Sequence, residues 1–213
     1  MYNIILFDLD GTLTDPALGI TNSVAYALEM WGIVVENRRE LYKFIGPPLL
    51  DAFSKEYGFS REDSQKTLDK YREYFRSRGL YENTLYDGIT EMLGELKRRG
   101  KKIILATSKP DEFAKKILLH FDLYDYFDFI GAASMDESRA KKADVIRYVL
   151  DECGIEDVKD VIMVGDREHD VLGAKEHGID SIGVLYGYGS RDELTSAGAK
   201  YIAETVDDIL KFI

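Results

Sequence analysis

The chain has 213 residues, 45% of them apolar and 31% charged, with a formal net charge of −11. Four prolines, 18 glycines and one cysteine exclude collagen-like, disordered and disulfide-stapled classes. No apolar run approaches the roughly 18 residues that a membrane span needs, and the acidic balance opposes nucleic-acid partners, whose phosphates demand a basic face.

Met1-Tyr2-Asn3 leads straight into a strand-like run, so no signal peptide is expected. With the lone Cys153, this predicts a cytoplasmic protein. Asn3–Phe7 is the first of five short runs rich in Ile, Val, Leu or Phe that read as buried parallel strands; it closes on Phe7-Asp8-Leu9-Asp10-Gly11-Thr12. Asp15-Pro16 predicts an N-cap and a first-turn proline for a helix with the stripe Ile20, Val24, Ala27, Leu28 and Trp31, closed by Gly32. Pro47-Pro48 breaks the chain, and Ser60 predicts the cap of a helix through Leu68, Tyr71, Tyr74 and Phe75, ended by Gly79. Ile89, Met92, Leu93 and Leu96 form another stripe, stopped by Gly100. Next come a strand over Lys102–Ala106, followed by Thr107-Ser108-Lys109, and a strand over Phe127–Gly131. A helix carries Val145, Ile146, Val149 and Leu150; then Val161–Val164 leads into Gly165-Asp166, with Asp170 beyond, and Ser181–Leu185 leads to Tyr186 and Tyr188.

Alternating strands and helices predict a doubly wound α/β fold, a parallel sheet of Rossmann-like type. Later strands are separated by 20, 29 and 16 residues, normal for a crossover with one helix. The first two are separated by residues 8–101, 94 in all, which predicts an inserted all-helical cap at 15–80 in a core of 1–14 and 81–213. The insert holds 10 Lys/Arg and 10 Asp/Glu, so the remaining 18 basic and 29 acidic residues carry the whole −11.

Ligands of open parallel sheets bind beyond the carboxyl ends of the strands. Three strands deliver Asp8 and Asp10, Thr107 and Ser108, and Asp166 with Asp170 to that edge. Two carboxylates 4 Å apart repel by about 4 kcal/mol at an effective dielectric of 20, so such a cluster calls for a cation, and oxygen donors with no neighbouring His or Cys favour Mg²⁺ over Zn²⁺. Lys142 lies in helical register with Val145, Ile146 and Val149, all apolar, whereas Lys141 aligns with a mixed face. Lys142 is therefore expected to point inward and Lys141 to water.

These residues resemble the haloacid dehalogenase-like hydrolases, in the phosphoglycolate phosphatase and 5′-nucleotidase branch with a small helical cap. Asp8-Leu9-Asp10-Gly11-Thr12-Leu13 is similar to that family's first motif, Ala106-Thr107-Ser108-Lys109 to its second, Lys142 to its third, and Gly165-Asp166 through Asp170 to its fourth. The resemblance implies a Mg²⁺-dependent phosphatase in which Asp8 attacks phosphorus and Asp10 serves as acid and base. It further implies that Thr107, Ser108 and Lys142 hold the phosphoryl oxygens and that Asp8, the Asp10 carbonyl, Asp166 and Asp170 hold the metal. The expected partner is a small phosphate ester, phosphoglycolate or a nucleoside 5′-monophosphate, read by basic insert residues such as Lys43, Arg72 and Arg76; monomer and dimer remain open. A sugar phosphomutase is the alternative within the family, disfavoured because Pro47, Pro48 and Leu49 follow Gly46 where a basic residue is expected. A phospho-accepting signalling module is the alternative outside it.

Overall fold

The computed structural model describes residues 2–136 and 138–213, so Met1 of the opening run lies outside the described residues. From the N-terminus, β1 (Ile4–Phe7) and β2 (Thr14–Asp15) lead into α1 (Ala17–Glu29), a 3-10 segment (Arg38–Phe44), α2 (Leu49–Tyr57), α3 (Arg61–Tyr74) and a π turn (Phe75–Gly79). There follow β3 (Thr84–Leu85), α4 (Ile89–Arg98), β4 (Lys102–Pro110), α5 (Asp111–His120), β5 (Phe129–Ala133) and α6 (Lys142–Glu152). The chain closes with β6 (Val161–Gly165), α7 (Glu168–Glu176), β7 (Asp180–Val184), α8 (Arg191–Ala197) and β8 (Tyr201–Ala203). It divides into two compact units, Met1–Asp15 with Leu85–Ile213, and Pro16–Thr84.

The first unit is built on a parallel six-stranded sheet in the order β5-β4-β1-β6-β7-β8. The doubly wound α/β architecture is thus the one the sequence predicts. β1 lies between β4 and β6, with Phe7 opposite both Leu105 and Val164. Covered on both faces, Ile5, Leu6, Phe7 and all of Val161–Val164 are fully buried, which accounts for their continuous apolar runs. Leu6, Ile104 and Met163 pack with Val145, Ile146 and Val149 of α6 and Ala174 of α7. Each such aliphatic side chain contributes about 1.5–3 kcal/mol by leaving water.

Several local expectations are corrected. β4 runs four residues past Ala106, with its pairing to β5 shifted between Thr107 and Pro110. β5 starts at Phe129, not Phe127, because a 3-10 turn (Tyr124–Tyr126) draws the Phe127 N–H to the Tyr124 carbonyl. β2, β3 and the sheet-edge strand β8 carry two or three residues each, too few for a periodic signal. α1 starts at Ala17, so Pro16 is its cap position and no side chain caps it. The Asp15 carboxylate instead accepts a hydrogen bond from the Tyr188 hydroxyl.

In the second unit, α1 buries Ile20, Val24, Ala27 and Leu28, while α3 buries Leu68 and Tyr71. Ser60 caps α3, accepting from the Asp63 N–H at 3.1 Å. Trp31 lies beyond the end of α1; its indole N–H donates to Thr67 Oγ1 at 2.9 Å, and its ring lies 5.1 Å from Phe59. α3 stops at Tyr74 and the chain widens into the π turn, with the Leu80 N–H bonded to the Phe75 carbonyl.

Candidate active site

Past Phe7 the β1 ladder continues for one residue, the Asp8 N–H donating to the Val164 carbonyl at 3.0 Å. The chain then winds tightly. Leu13 and Thr14 N–H groups both donate to the Leu9 carbonyl, and Gly11 N–H to the Thr14 carbonyl. Gly11 has φ +85°, and a Cβ there would run into the Asp166 carboxylate, so both backbone and space require glycine. This loop holds Asp8 and Asp10 at the carboxyl edge of the sheet.

Asp8, Asp166 and Asp170 converge, each offering a carboxylate oxygen within 4.8 Å of the others, and all three are buried. Asp166 follows β6, and Asp170 lies in the first turn of α7, its other oxygen accepting the Arg167 N–H at 3.1 Å. Lys142, the first residue of α6, places Nζ 2.7 Å from Asp8 Oδ1 and 2.8 Å from Asp170 Oδ1, and donates to the Ala106 carbonyl at 2.8 Å. Lys142 is buried and Lys141 exposed, as the helical register predicts. Burial works against charge on Lys142, but the Asp170 and Asp8 carboxylates outweigh it and raise its pKa.

Among the described residues, no ion pair joins Asp166 to a cation, although Arg167 offsets its charge from a distance. Burial, then the neighbouring Asp170 and Asp8 charges, push its pKa well above the usual carboxylate range, despite a hydrogen bond from the Tyr188 N–H at 2.8 Å. Burial also raises Asp170, against the pull of Lys142. Among the described residues, Asp8 Oδ1 and Asp170 Oδ1 meet the Lys142 ammonium at ion-pair distance and have no further hydrogen-bond partner. One ammonium facing three buried carboxylates leaves negative charge uncompensated. Three oxygen donors, two of them with unused capacity, fit a hard divalent cation.

The Asp10 carboxylate is set apart from this cluster. Its Oδ2 meets Lys109 Nζ at 2.5 Å, with both side chains buried. Burial raises the Asp10 pKa and Lys109 opposes the rise. The pairing shift at the end of β4 is a local bend of the kind that re-aims side chains. Within it Thr107 is buried, Ser108 half-buried, and the Lys109 N–H donates to Thr107 Oγ1 at 3.2 Å. Beyond β7, Tyr186 donates its hydroxyl to the Thr12 carbonyl at 2.9 Å and packs edge-on against Tyr86 at 5.0 Å.

The first unit thus brings Asp8, Asp166, Asp170 and Lys142 together, with Asp10 held separately. Thr107 and Ser108 lie in the same unit, at the end of β4, and the candidate substrate-reading residues belong to the second unit. Lys43 is paired with Glu56 at 2.7 Å, Arg72 is half-buried in the last turn of α3, and Arg76 is exposed in the π turn. Sequence reasoning gave Lys109 no role, although Thr107 and Lys109 are two apart in an extended segment and so share a face. The Tyr188 N–H at Asp166 had no signal, since a backbone donor shows no residue preference.

A family model described as haloacid dehalogenase-like hydrolase matches residues 5–184. A 5′-nucleotidase of Pseudomonas aeruginosa is 48% identical, over 91% of this chain and 87% of its own length. A protein of Mycobacterium tuberculosis named tyrosine-protein kinase PtkA is 38% identical, over 97% of this chain and 70% of its own length. The crystal structure of a predicted phosphatase from Clostridium acetobutylicum superposes with a TM-score of 0.97 at 49% identity, covering 100% of this chain and 98% of that one.

Proposed function

The chain belongs to the haloacid dehalogenase-like hydrolases, and from that membership we propose that it is a Mg²⁺-dependent phosphatase hydrolysing small phosphate monoesters, nucleoside 5′-monophosphates first among them. The observation that carries the reading is the buried Asp8, Asp166 and Asp170 cluster closed by Lys142, with a second acid, Asp10, two residues from Asp8. A carbon–halogen reaction would need neither the cation site nor Asp10. The 48% identity to a 5′-nucleotidase supports the choice of substrate over phosphoglycolate.

Asp8, the Asp10 carbonyl, Asp166 and Asp170 would hold Mg²⁺, which supplies positive charge against the carboxylates and the phosphoryl oxygens. The chain's own residues carry the rest. An Asp8 oxygen attacks phosphorus and forms an aspartyl phosphate; the bond from phosphorus to the ester oxygen breaks, and that oxygen takes the Asp10 proton as the alcohol leaves. Water then attacks the same phosphorus, giving its proton to Asp10. The bond from Asp8 to phosphorus breaks, and inorganic phosphate departs with both residues restored. Thr107, the Ser108 N–H and Lys142 grip the phosphoryl oxygens and offset charge developing on them. Pro16–Thr84 acts as the cap in this reading, its basic residues reading the rest of the substrate.

The mycobacterial relative's name supplies a second reading, in which a tyrosine hydroxyl replaces water in the second step. One experiment separates the two. Wild-type protein with Mg²⁺ is given AMP, phosphoglycolate, p-nitrophenyl phosphate and, separately, ATP with a tyrosine peptide. Many free phosphates per chain, with AMP preferred, support the phosphatase; phosphotyrosine without ester hydrolysis overturns it.

A further inference from the structure

Resting on the phosphatase reading above, we propose that Lys109 is a positioning residue for Asp10: it binds one carboxylate oxygen and so presents the other to the leaving group and to water. Lys109 Nζ lies 2.5 Å from Asp10 Oδ2. Among the described residues, Asp10 Oδ1 is buried without a hydrogen-bond partner. The two side chains are only 5% and 12% exposed, so little water competes for either oxygen.

The asymmetry has a chemical consequence. A carboxyl group has two equivalent oxygens, and the torsion that exchanges them is broad and two-fold. An ammonium donates hydrogen bonds and cannot accept them. A proton on Oδ2 would confront the Lys109 donors, so the proton of the acid form resides on Oδ1, the oxygen left unpartnered. Lys109 therefore chooses the oxygen that delivers the proton and fixes the plane in which it points.

The placement of Lys109 is itself built in. Its N–H is tied to Thr107 Oγ1, Pro110 restricts the next bond, and the shifted pairing between Thr107 and Pro110 ends β4 at this point. The bend that carries the phosphate-binding Thr107 thus also carries the residue orienting the acid.

The test is a leaving-group series with wild type, Lys109→Met, Asp10→Asn and the double variant, all with Mg²⁺. General acid catalysis is worth about 10²–10⁴-fold, and least where the leaving group is already a good one. Lys109→Met should lose less than about fivefold in kcat/KM with p-nitrophenyl phosphate and at least about thirtyfold with phenyl phosphate. Lys109→Met leaves a buried carboxylate alone and could fail to fold. The double variant has no such carboxylate and tests whether Lys109 acts outside Asp10. With p-nitrophenyl phosphate it should match Asp10→Asn within about twofold, because Lys109 acts only through Asp10. Equal losses on both esters, no loss on either, or a further drop of about tenfold in the double variant would overturn the proposal. Wild-type protein that releases phosphate from no ester would instead sink the phosphatase reading, and this proposal with it.

Discussion

Asp8, Asp166 and Lys142 are the residues from which the chemistry is most directly testable. Asp8→Asn keeps the shape of the side chain but removes the proposed nucleophile. Turnover should fall by more than about a thousandfold, roughly 4 kcal/mol of barrier, while the circular dichroism spectrum stays unchanged. Near-normal turnover by folded Asp8→Asn would rule out the nucleophile. The uncompensated carboxylates lead to a second expectation. Mg²⁺ should raise the melting temperature, because a ligand bound only by the folded state stabilises it. Asp166→Ala should shrink that rise, and an unaltered rise in the variant contradicts a metal role for Asp166. Lys142 pairs with two of the three clustered carboxylates, and the proposed mechanism gives it only the phosphoryl group that all the substrates share. Lys142→Met should therefore depress kcat/KM for AMP, phosphoglycolate and p-nitrophenyl phosphate alike, by about a hundredfold or more.

At the scale of elements, two glycines in helices make opposite predictions. Gly19 lies in α1 where a Cβ would land on the Gly79 carbonyl oxygen, in the π turn that ends α3's run. Gly19→Ala should cost about 1–3 kcal/mol, because neither backbone can yield without losing its packing. Gly94 lies inside α4 with nothing within 4 Å of its missing Cβ. Gly94→Ala should stabilise by about 0.5–1 kcal/mol, by helix propensity alone. Thermal unfolding of the two variants, differing in sign, checks the packing of α1 against the π turn. The same scale explains why α4 was legible in advance. Its stripe of Ile89, Met92, Leu93 and Leu96 is wholly buried, whereas Trp31, which spacing places in the α1 stripe, lies past the helix end, bonded to Thr67.

For the whole molecule, the distribution of charge sets the remaining question. Residues 15–80 carry equal numbers of acidic and basic groups, 10 of each, while the rest of the chain carries the net −11. Arg72 and Arg76 are basic groups of the second unit. Replacing either by Ala should reorder the preference among AMP and phosphoglycolate while sparing p-nitrophenyl phosphate, which offers little beyond the phosphoryl group. Parallel changes on all three substrates would assign these arginines to the surface. Among the described residues, no helix is long and apolar enough to cross a membrane.

The sequence by itself determined the α/β class, the three strand ends that bear carboxylates and hydroxyls, and the inward face of Lys142. These follow from local rules, since buried strands read as apolar runs and helical register repeats every three to four residues. Only the tertiary structure decided which of these groups meet. Lys109 and Asp10 are 99 residues apart, and Tyr188 and Asp166 are 22 apart. Periodicity specifies the face a side chain occupies, not the distant residue that shares it. The placement of β1 between β4 and β6, with Phe7 opposite Leu105 and Val164, brings the ends of all three strands to one edge. There a lysine in the second motif finds the acid of the first, because sheet register, unlike side-chain periodicity, is a property of the folded whole.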